Sequence, residues 1–305
     1  METGVTVWLA SLATWFGQGG YGLMMASFYL AMVLIERGAY LFENRRDWAE
    51  RESRANMINW LLLAFFEGAV GAALFVGIYL WVYEHRLFTI PMVWWGWALA
   101  FLLNDLAYYS SHRMEHRTGF FWAIHTAHHS AETMNLTVAA RNSVLLLSGA
   151  SQPLYYLLAL IGLPLPMFLV ARFFGNVWGI FNHTRFVHRI KWLEGWVATP
   201  ANHRVHHGTQ PKYLDRNYGQ VLMIWDRLFG TFQREEEEPI YGLVHQMGST
   251  RIYDIQSWGA RWLWGQLRSA PRWRDKLAYL VMPPGWRHDG RHETTEAIQR
   301  AALAA

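Results

Sequence analysis

The chain has 305 residues, 52% of them apolar and 16% aromatic. That is enough for a large core, but the apolar residues fall in long blocks, which points to a membrane rather than an ordinary soluble domain. There is no cysteine, which excludes disulfides and thiolate metal sites. The net charge of +4 is scattered among aromatic residues, which suits a membrane surface and argues against a nucleic-acid partner.

Residues 1–20 are apolar but broken by Gly17, Gly19 and Gly20. They lack the basic start and small-residue cleavage site of a signal peptide and read as a short interfacial or partly inserted segment. A first span is expected at about 21–41. Residues 43–56, dense in Glu and Arg, read as a solvated helix outside the membrane. A second span is expected at about 57–81, since about twenty residues at 1.5 Å rise cover the hydrocarbon core. Glu67 within it is costly in lipid and is expected to face protein, hydrogen-bonded between helices. A third span at about 91–110 runs straight into His112. The block 144–182 is too long for one span; Gly162, Pro164 and Pro166 divide it into two halves of about 18 residues, a helical hairpin that enters and leaves by one face.

Alternating spans put 42–56, 111–143 and 183–305 on one side. Of the 27 Lys and Arg, all but Arg86 and Arg172 then lie there if Arg37, near the end of the first span, is counted on that side, and the positive-inside rule makes that side cytoplasmic. In the remainder, Glu235 to Glu238 reads as a solvated loop. Residues 255–281 interleave Trp with Arg, as an amphipathic helix on a lipid surface or one packed on the core.

The histidines organise this outline. Ten of the fourteen lie between 112 and 207. His112 and His116 form an H-x3-H; His125, His128 and His129 form an H-x2-H-H, repeated at His203, His206 and His207; His183 and His188 lie between. On helices these spacings put each set on one face. Neutral imidazole is the commonest metal-ligand side chain, and ten exceed the four ligands of one tetrahedral site. They suit two metal ions. Imidazole does not name the metal, but the location does the rest. A site at the membrane boundary meets greasy substrates whose C–H bonds offer no handle for polar catalysis and call for O2 chemistry, a task for iron. A non-catalytic membrane metal-binding protein remains the reading of another class. A zinc hydrolase is disfavoured, because the boxes supply almost only imidazoles, without a carboxylate for a general base.

The order H-x3-H, H-x2-H-H, H-x2-H-H behind several spans resembles the fatty acid hydroxylase/sterol desaturase superfamily of membrane di-iron oxygenases. The likeness runs from about Asp105 to Phe232 and includes N-D-L-A-Y-Y-S-S-H-R, A-H-H-S-A-E-T-M-N-L-T, T-P-A-N-H-R-V-H-H-G and N-Y-G-Q-V-L-M-I-W-D-R-L-F-G-T-F. The last passages look most like the alkylglycerol monooxygenase-like branch and its bacterial relatives. The resemblance implies an all-α, multi-pass membrane bundle forming a single domain over 1–305, with a cytoplasmic histidine-rich cap. Its ligands fall on His112, His116, His125, His128, His129, His183, His188, His203, His206 and His207. Asp105 and Asp226 are expected to orient imidazoles, with Tyr109, Asn135 and Asn202 as neighbours of the site. The implied cofactors are two iron ions, replaceable by zinc, together with O2. The implied activity is hydroxylation of a lipid C–H bond, with desaturation as the alternative. No H-P-G-G haem segment is present, so electrons are expected from a separate reductase or carrier; the expected setting is a bacterial inner membrane. One departure is Arg117: animal members of that branch carry an acidic residue after the first box, which weakens transfer of pterin dependence and of the ether-lipid substrate.

Overall fold

The computed structural model describes residues 4–145 and 153–304. Among these the chain is helical, and the only β pairing is an isolated antiparallel bridge between Val197 and Leu222. Helix α1 (Gly4–Trp15) leads into a kink at Phe16–Gly20, where Gly19 takes φ 95°, a region open to glycine. The kink lets Phe16 turn inward against Tyr21 (5.3 Å) and Phe173 (5.1 Å). Helix α2 (Tyr21–Phe42) occupies the expected first span.

Helices α3 (Glu50–Phe66) and α4 (Ala72–Glu84) form one rod interrupted by a π turn at Glu67–Gly71. Gly71 leaves room there for the Glu67 carboxylate, which a Cβ would meet at 2.8 Å. Two stretches, Gln18–Phe42 and Glu50–Glu84, are long and apolar enough to cross a membrane. Leu34, Ile35, Leu61, Phe65 and Trp81 on them are more than half exposed. The expectation of a solvated helix at 43–56 needs correction. Helix α3 already begins at Glu50, and Glu52, Ser53 and Asn56 in its first turns are buried. Glu52 and Asn56 are drawn in by the wholly buried Arg141, which donates to Glu52 (3.3 Å) and Asn56 (3.1 Å), because a buried guanidinium needs its hydrogen bonds filled, and Ser53 donates to the Trp48 carbonyl (2.9 Å).

Helix α5 (Trp94–Arg117) is 24 residues long. Trp97, Ala100 and Ala107 join the apolar core, and its last turns carry His112 and His116. The expected hairpin breaks where the glycine and prolines placed it: Gly162 ends α7 (Leu154–Ile161) with φ 109°, and Pro164 caps α8 (Leu165–Phe181). Only part of its first half is described. Helix α7 has 8 residues, about 12 Å, and residues 146–152 of that half lie outside those described. The turn is pinned to the other short turn by bonds from the Leu87 N–H to the Leu160 carbonyl (2.8 Å) and from the Ile90 N–H to the Gly162 carbonyl (2.9 Å). The turns at 85–90 and 162–164 therefore meet.

Above the bundle lies a cap made of α6 (Gly119–His129), a 3-10 turn at Leu136–Ala140, α9 (Pro200–His206), α10 (Ile224–Leu228), α11 (Ile252–Ser269), α12 (Trp273–Val281) and α13 (Thr295–Ala304). Of the two readings of 255–281, core packing applies to α11. Ile255, Gly259 and Leu263 are buried, and Gly259 sits so close to α6 that a Cβ would overlap the Ala123 carbonyl. The acidic run is tied rather than simply solvated: Glu235 pairs with Arg204 (2.7 Å), Glu236 with Lys212 (3.2 Å) and Glu238 with Arg185 (2.8 Å).

Candidate metal centre

Four short helical segments aim imidazoles at one place. The end of α5 supplies His112 and His116, α6 supplies His125, His128 and His129, the turn after α8 supplies His183, and α9 with its cap supplies His203, His206 and His207. Helix α9 starts where it does because Thr199 and Asn202 form a capping box and Pro200 follows the cap. All nine imidazoles are buried. They divide into a group of five (His112, His116, His125, His129 and His206) and a group of four (His128, His183, His203 and His207), with the candidate ligand atoms of each group within 4.8 Å of one another.

The nitrogens facing inward are Nε2. Within the five, His129 Nε2 lies 3.1 Å from those of His116 and His206. Within the four, His203 Nε2 lies 3.0 Å from that of His183 and 3.1 Å from that of His207, and His183 Nε2 lies 3.3 Å from that of His128. The outward nitrogens are occupied. His112, His128, His183 and His206 present Nδ1 to the carbonyls of Tyr218 (2.9 Å), Arg141 (3.2 Å), Gly179 (2.8 Å) and Arg216 (2.9 Å). His116 and His125 present Nδ1 to the carboxylates of Asp215 (3.3 Å) and Glu115 (3.1 Å).

These contacts test whether a metal fits. A carbonyl accepts, so the Nδ1 facing it carries the proton and Nε2 is left as a bare lone pair. His128 and His183 then point lone pair at lone pair, and no hydrogen bond joins them. The Nε2 atoms of His112 and His125 are buried without any hydrogen-bond partner. A cation at the centre of each group satisfies them all. With metal–nitrogen bonds of about 2.0–2.1 Å, neighbouring ligands stand about 3.0–3.4 Å apart in octahedral or tetrahedral arrangements, which is the spacing found. Eight of the nine imidazoles are also held in the neutral state a metal needs. Burial pushes His112 down to about 3, aided by His116 beside it, and His183 down to about 4. It likewise holds His125, His128, His129, His203, His206 and His207 well below the ordinary value.

His188 does not join. It is exposed and lies outside both groups, because the chain leaves helical geometry after Phe181 and the H-x4-H spacing turns it away from His183. None of the five expected neighbours touches an imidazole directly. Asp105 accepts from the N–H groups of Val221 and Leu222 and from the Trp225 indole (2.9 Å), bracing α5 against the loop before α10. Asp226 accepts from the N–H groups of Tyr218 and Gly219 (both 2.8 Å) and acts on His112 only through the Tyr218 carbonyl. Tyr109 bonds Thr231, Asn135 caps the 3-10 turn and ties it to Trp48 and Ser53, and Asn202 belongs to the capping box.

Two carboxylates were missed in the sequence. Glu115 lies inside the first box, one residue before His116, where its contact with His125 depends on the packing of α6 on α5. Asp215 comes from a loop, and no periodicity announces it. Burial alone would push Asp215 up, but His116, Thr295 and Arg117 together hold it below the usual carboxylate range. Carboxylates therefore do lie beside the boxes. Both sit on the Nδ1 side, where they orient rings, and Glu115 also lines a cavity in the bundle and Asp215 one in the cap.

A cavity of about 840 Å3 reaches the centre from the bundle. Met25, Leu63, Val76, Leu165 and Leu169 line it, with Glu67 and Arg172 among them, and His125, His128, His183 and His203 stand at its inner end. Glu67 thus faces protein at a cavity wall, as its cost in lipid requires. A smaller cavity of about 190 Å3 touches His116, His129, His206 and His207 from the cap side, among Trp122, Trp258, Trp262 and Trp286.

Fold and site together define a helical protein with paired all-histidine clusters that could hold metal, set at the end of a largely apolar cavity. Residues 97–231 match the fatty acid hydroxylase family model, so this part of the chain is a fatty acid hydroxylase domain. It is similar to the alkylglycerol monooxygenases of Xenopus tropicalis and Homo sapiens, each 37% identical over 212 residues, 68% of this chain and 46% of theirs. It is also similar to an ornithine lipid hydroxylase of Rhizobium tropici, 30% identical over 146 residues, 45% of this chain and 43% of that one. A delta(7)-sterol 5(6)-desaturase of Gibberella zeae is 25% identical over 248 residues, 76% of this chain and 75% of the other. The chain spans about half the length of the alkylglycerol monooxygenases it matches. No solved structure matches it.

Proposed function

We propose that this chain is a multi-pass membrane oxidoreductase that uses O2 to hydroxylate a C–H bond of a lipid, with its nine clustered histidines holding two iron ions on the cytoplasmic face. The observation that carries the reading is the meeting of the apolar cavity with four of the imidazoles. A lipid chain that fills the cavity ends against the metal-binding nitrogens and nowhere else along that wall. Iron supplies the one-electron and O2 chemistry that an unactivated C–H bond requires. The reaction consumes R–H, O2, two electrons and two protons and yields R–OH and water, so a separate reductase or electron carrier must deliver the electrons.

The residues of the chain do the rest. The Nδ1 contacts hold six of the nine rings with the lone pair inward, and the apolar wall orients the chain and excludes water. The similarity to alkylglycerol monooxygenases and to an ornithine lipid hydroxylase supports a glycerolipid or aminolipid substrate and the hydroxylating outcome. The sterol desaturase likeness keeps desaturation as a defined alternative product. Comparing the lipids of cells with the intact chain, with its His128→Ala variant and with neither tests this. A lipid that gains one oxygen only with the intact chain supports hydroxylation. Loss of two hydrogens would shift the reading to desaturation, and identical lipids from intact and variant chains, with a reductase present, would overturn it.

A further inference from the structure

The two histidine groups are held by different parts of the chain. In the group of five, three rings rest on a single loop. His116 meets the Asp215 carboxylate, His206 the Arg216 carbonyl and His112 the Tyr218 carbonyl. That loop is strained, since Asp215 and Asn217 take φ of 58° and 56° without being glycine. Such conformations persist only where the surroundings over-determine them.

Much of that determination comes from α13. The Gln299 amide donates to the carbonyls of Pro211 (3.0 Å) and Leu214 (3.3 Å). Thr295 favours the charged form of the Asp215 carboxylate. Glu296 pairs with Arg117, and Arg117 in turn holds Asp215 (3.0 Å). The arginine after the first histidine box, which departs from the branch the sequence resembles, thus has a role here: it joins α5, the loop and α13. The group of four rests elsewhere. His183 leans on α8 through the Gly179 carbonyl, and His128 leans on the Arg141 carbonyl. The Arg141 side chain is fastened to α3 through Glu52 and Asn56, and to the end of α6 through Ser130.

We propose that α13 is a clamp on the 211–218 loop, so that the five-histidine group takes its metal ion tightly only when α13 is docked, while the four-histidine group loads without it. Asp215 and Gln299 are positioning residues in this device; neither binds metal. The proposal rests on the reading that the histidines hold two ions. Loss of an outer partner of a metal-bound histidine typically weakens affinity by about 10- to 100-fold, and that is the size expected for one ion only.

The test is a cobalt(II) titration of the full chain in detergent, followed by the visible absorption of bound cobalt. The unaltered chain should take up two equivalents. The double variant Glu296→Gln/Gln299→Leu, at the cap surface, and Asp215→Asn should keep one equivalent unchanged and bind the other about 10- to 100-fold more weakly. Adding His203→Ala to the double variant should remove the tight equivalent that remained, and Glu296→Asp should keep both. Equal weakening of the two ions, or no weakening in the double variant, would overturn the clamp. Fewer than two equivalents in the unaltered chain would overturn the two-ion reading itself, and the clamp with it.

Discussion

A buried imidazole has two nitrogens and must satisfy both, and in this cluster the outer one is satisfied by protein and the inner one is not. Six of the nine rings have a carbonyl or carboxylate at Nδ1, which makes their inward Nε2 atoms acceptors, and His128 and His183 meet acceptor to acceptor. The same burial sets a pH dependence. Histidines in the unfolded chain take up protons as pH falls through about 6.5, whereas His183 does so at about 4 and His112 at about 3. Between those values the unfolded chain binds more protons, so acid favours unfolding. The metal-free chain should show an unfolding midpoint that is highest above pH 6.5 and falls steadily from pH 6.5 to 5 in a thermal scan. A flat or rising midpoint over that window would contradict the buried, neutral state of the cluster. The histidine spacing showed which side chains would gather, because H-x3-H and H-x2-H-H are faces of helices whatever the fold. It could not show Asp215, which reaches His116 from a loop, nor that His188 points to solvent.

At the scale of elements, the cluster depends on how closely α11 lies on α6. Gly259 allows that approach, since a Cβ would overlap the Ala123 carbonyl, and α6 carries His125, His128 and His129. Gly259→Val should destabilise the chain by about 1–3 kcal/mol, the usual range for overpacking, and should reduce metal content. Thermal unfolding with metal analysis checks this; an unchanged midpoint with full metal would show that α11 is not structurally coupled to the site. Apolar blocks and their glycine and proline breaks made α2, α5 and the turn at Gly162 readable. The buried start of α3 was not readable, because Glu52 and Asn56 look like surface residues until the Arg141 they serve is placed beside them. The interleaved Trp and Arg of α11 favoured a lipid surface while leaving core packing open, and Gly259 was the residue that distinguished them.

For the whole molecule, the arrangement is one centre approached from two sides. The bundle cavity ends at His125, His128, His183 and His203, and the smaller cap cavity touches His116, His129, His206 and His207. The larger route is apolar, as a lipid requires. Leu63→Trp, which fills part of its wall, should lower kcat/KM for a long-chain lipid by about tenfold or more, the order by which a pocket discriminates shape, with metal content unchanged. Unaltered turnover would mean that the substrate does not pass through this cavity. The central claim, that oxygen from O2 is placed on a lipid at the histidine centre, is tested most directly with isotopically labelled oxygen. The iron-loaded protein, a reductant and membrane lipid are incubated under 18O2 in ordinary water, and the lipid is analysed by mass spectrometry. A lipid alcohol carrying 18O, formed by the intact chain and not by His128→Ala, is the predicted result. An alcohol carrying only oxygen from water, or equal labelling with the variant, would contradict it.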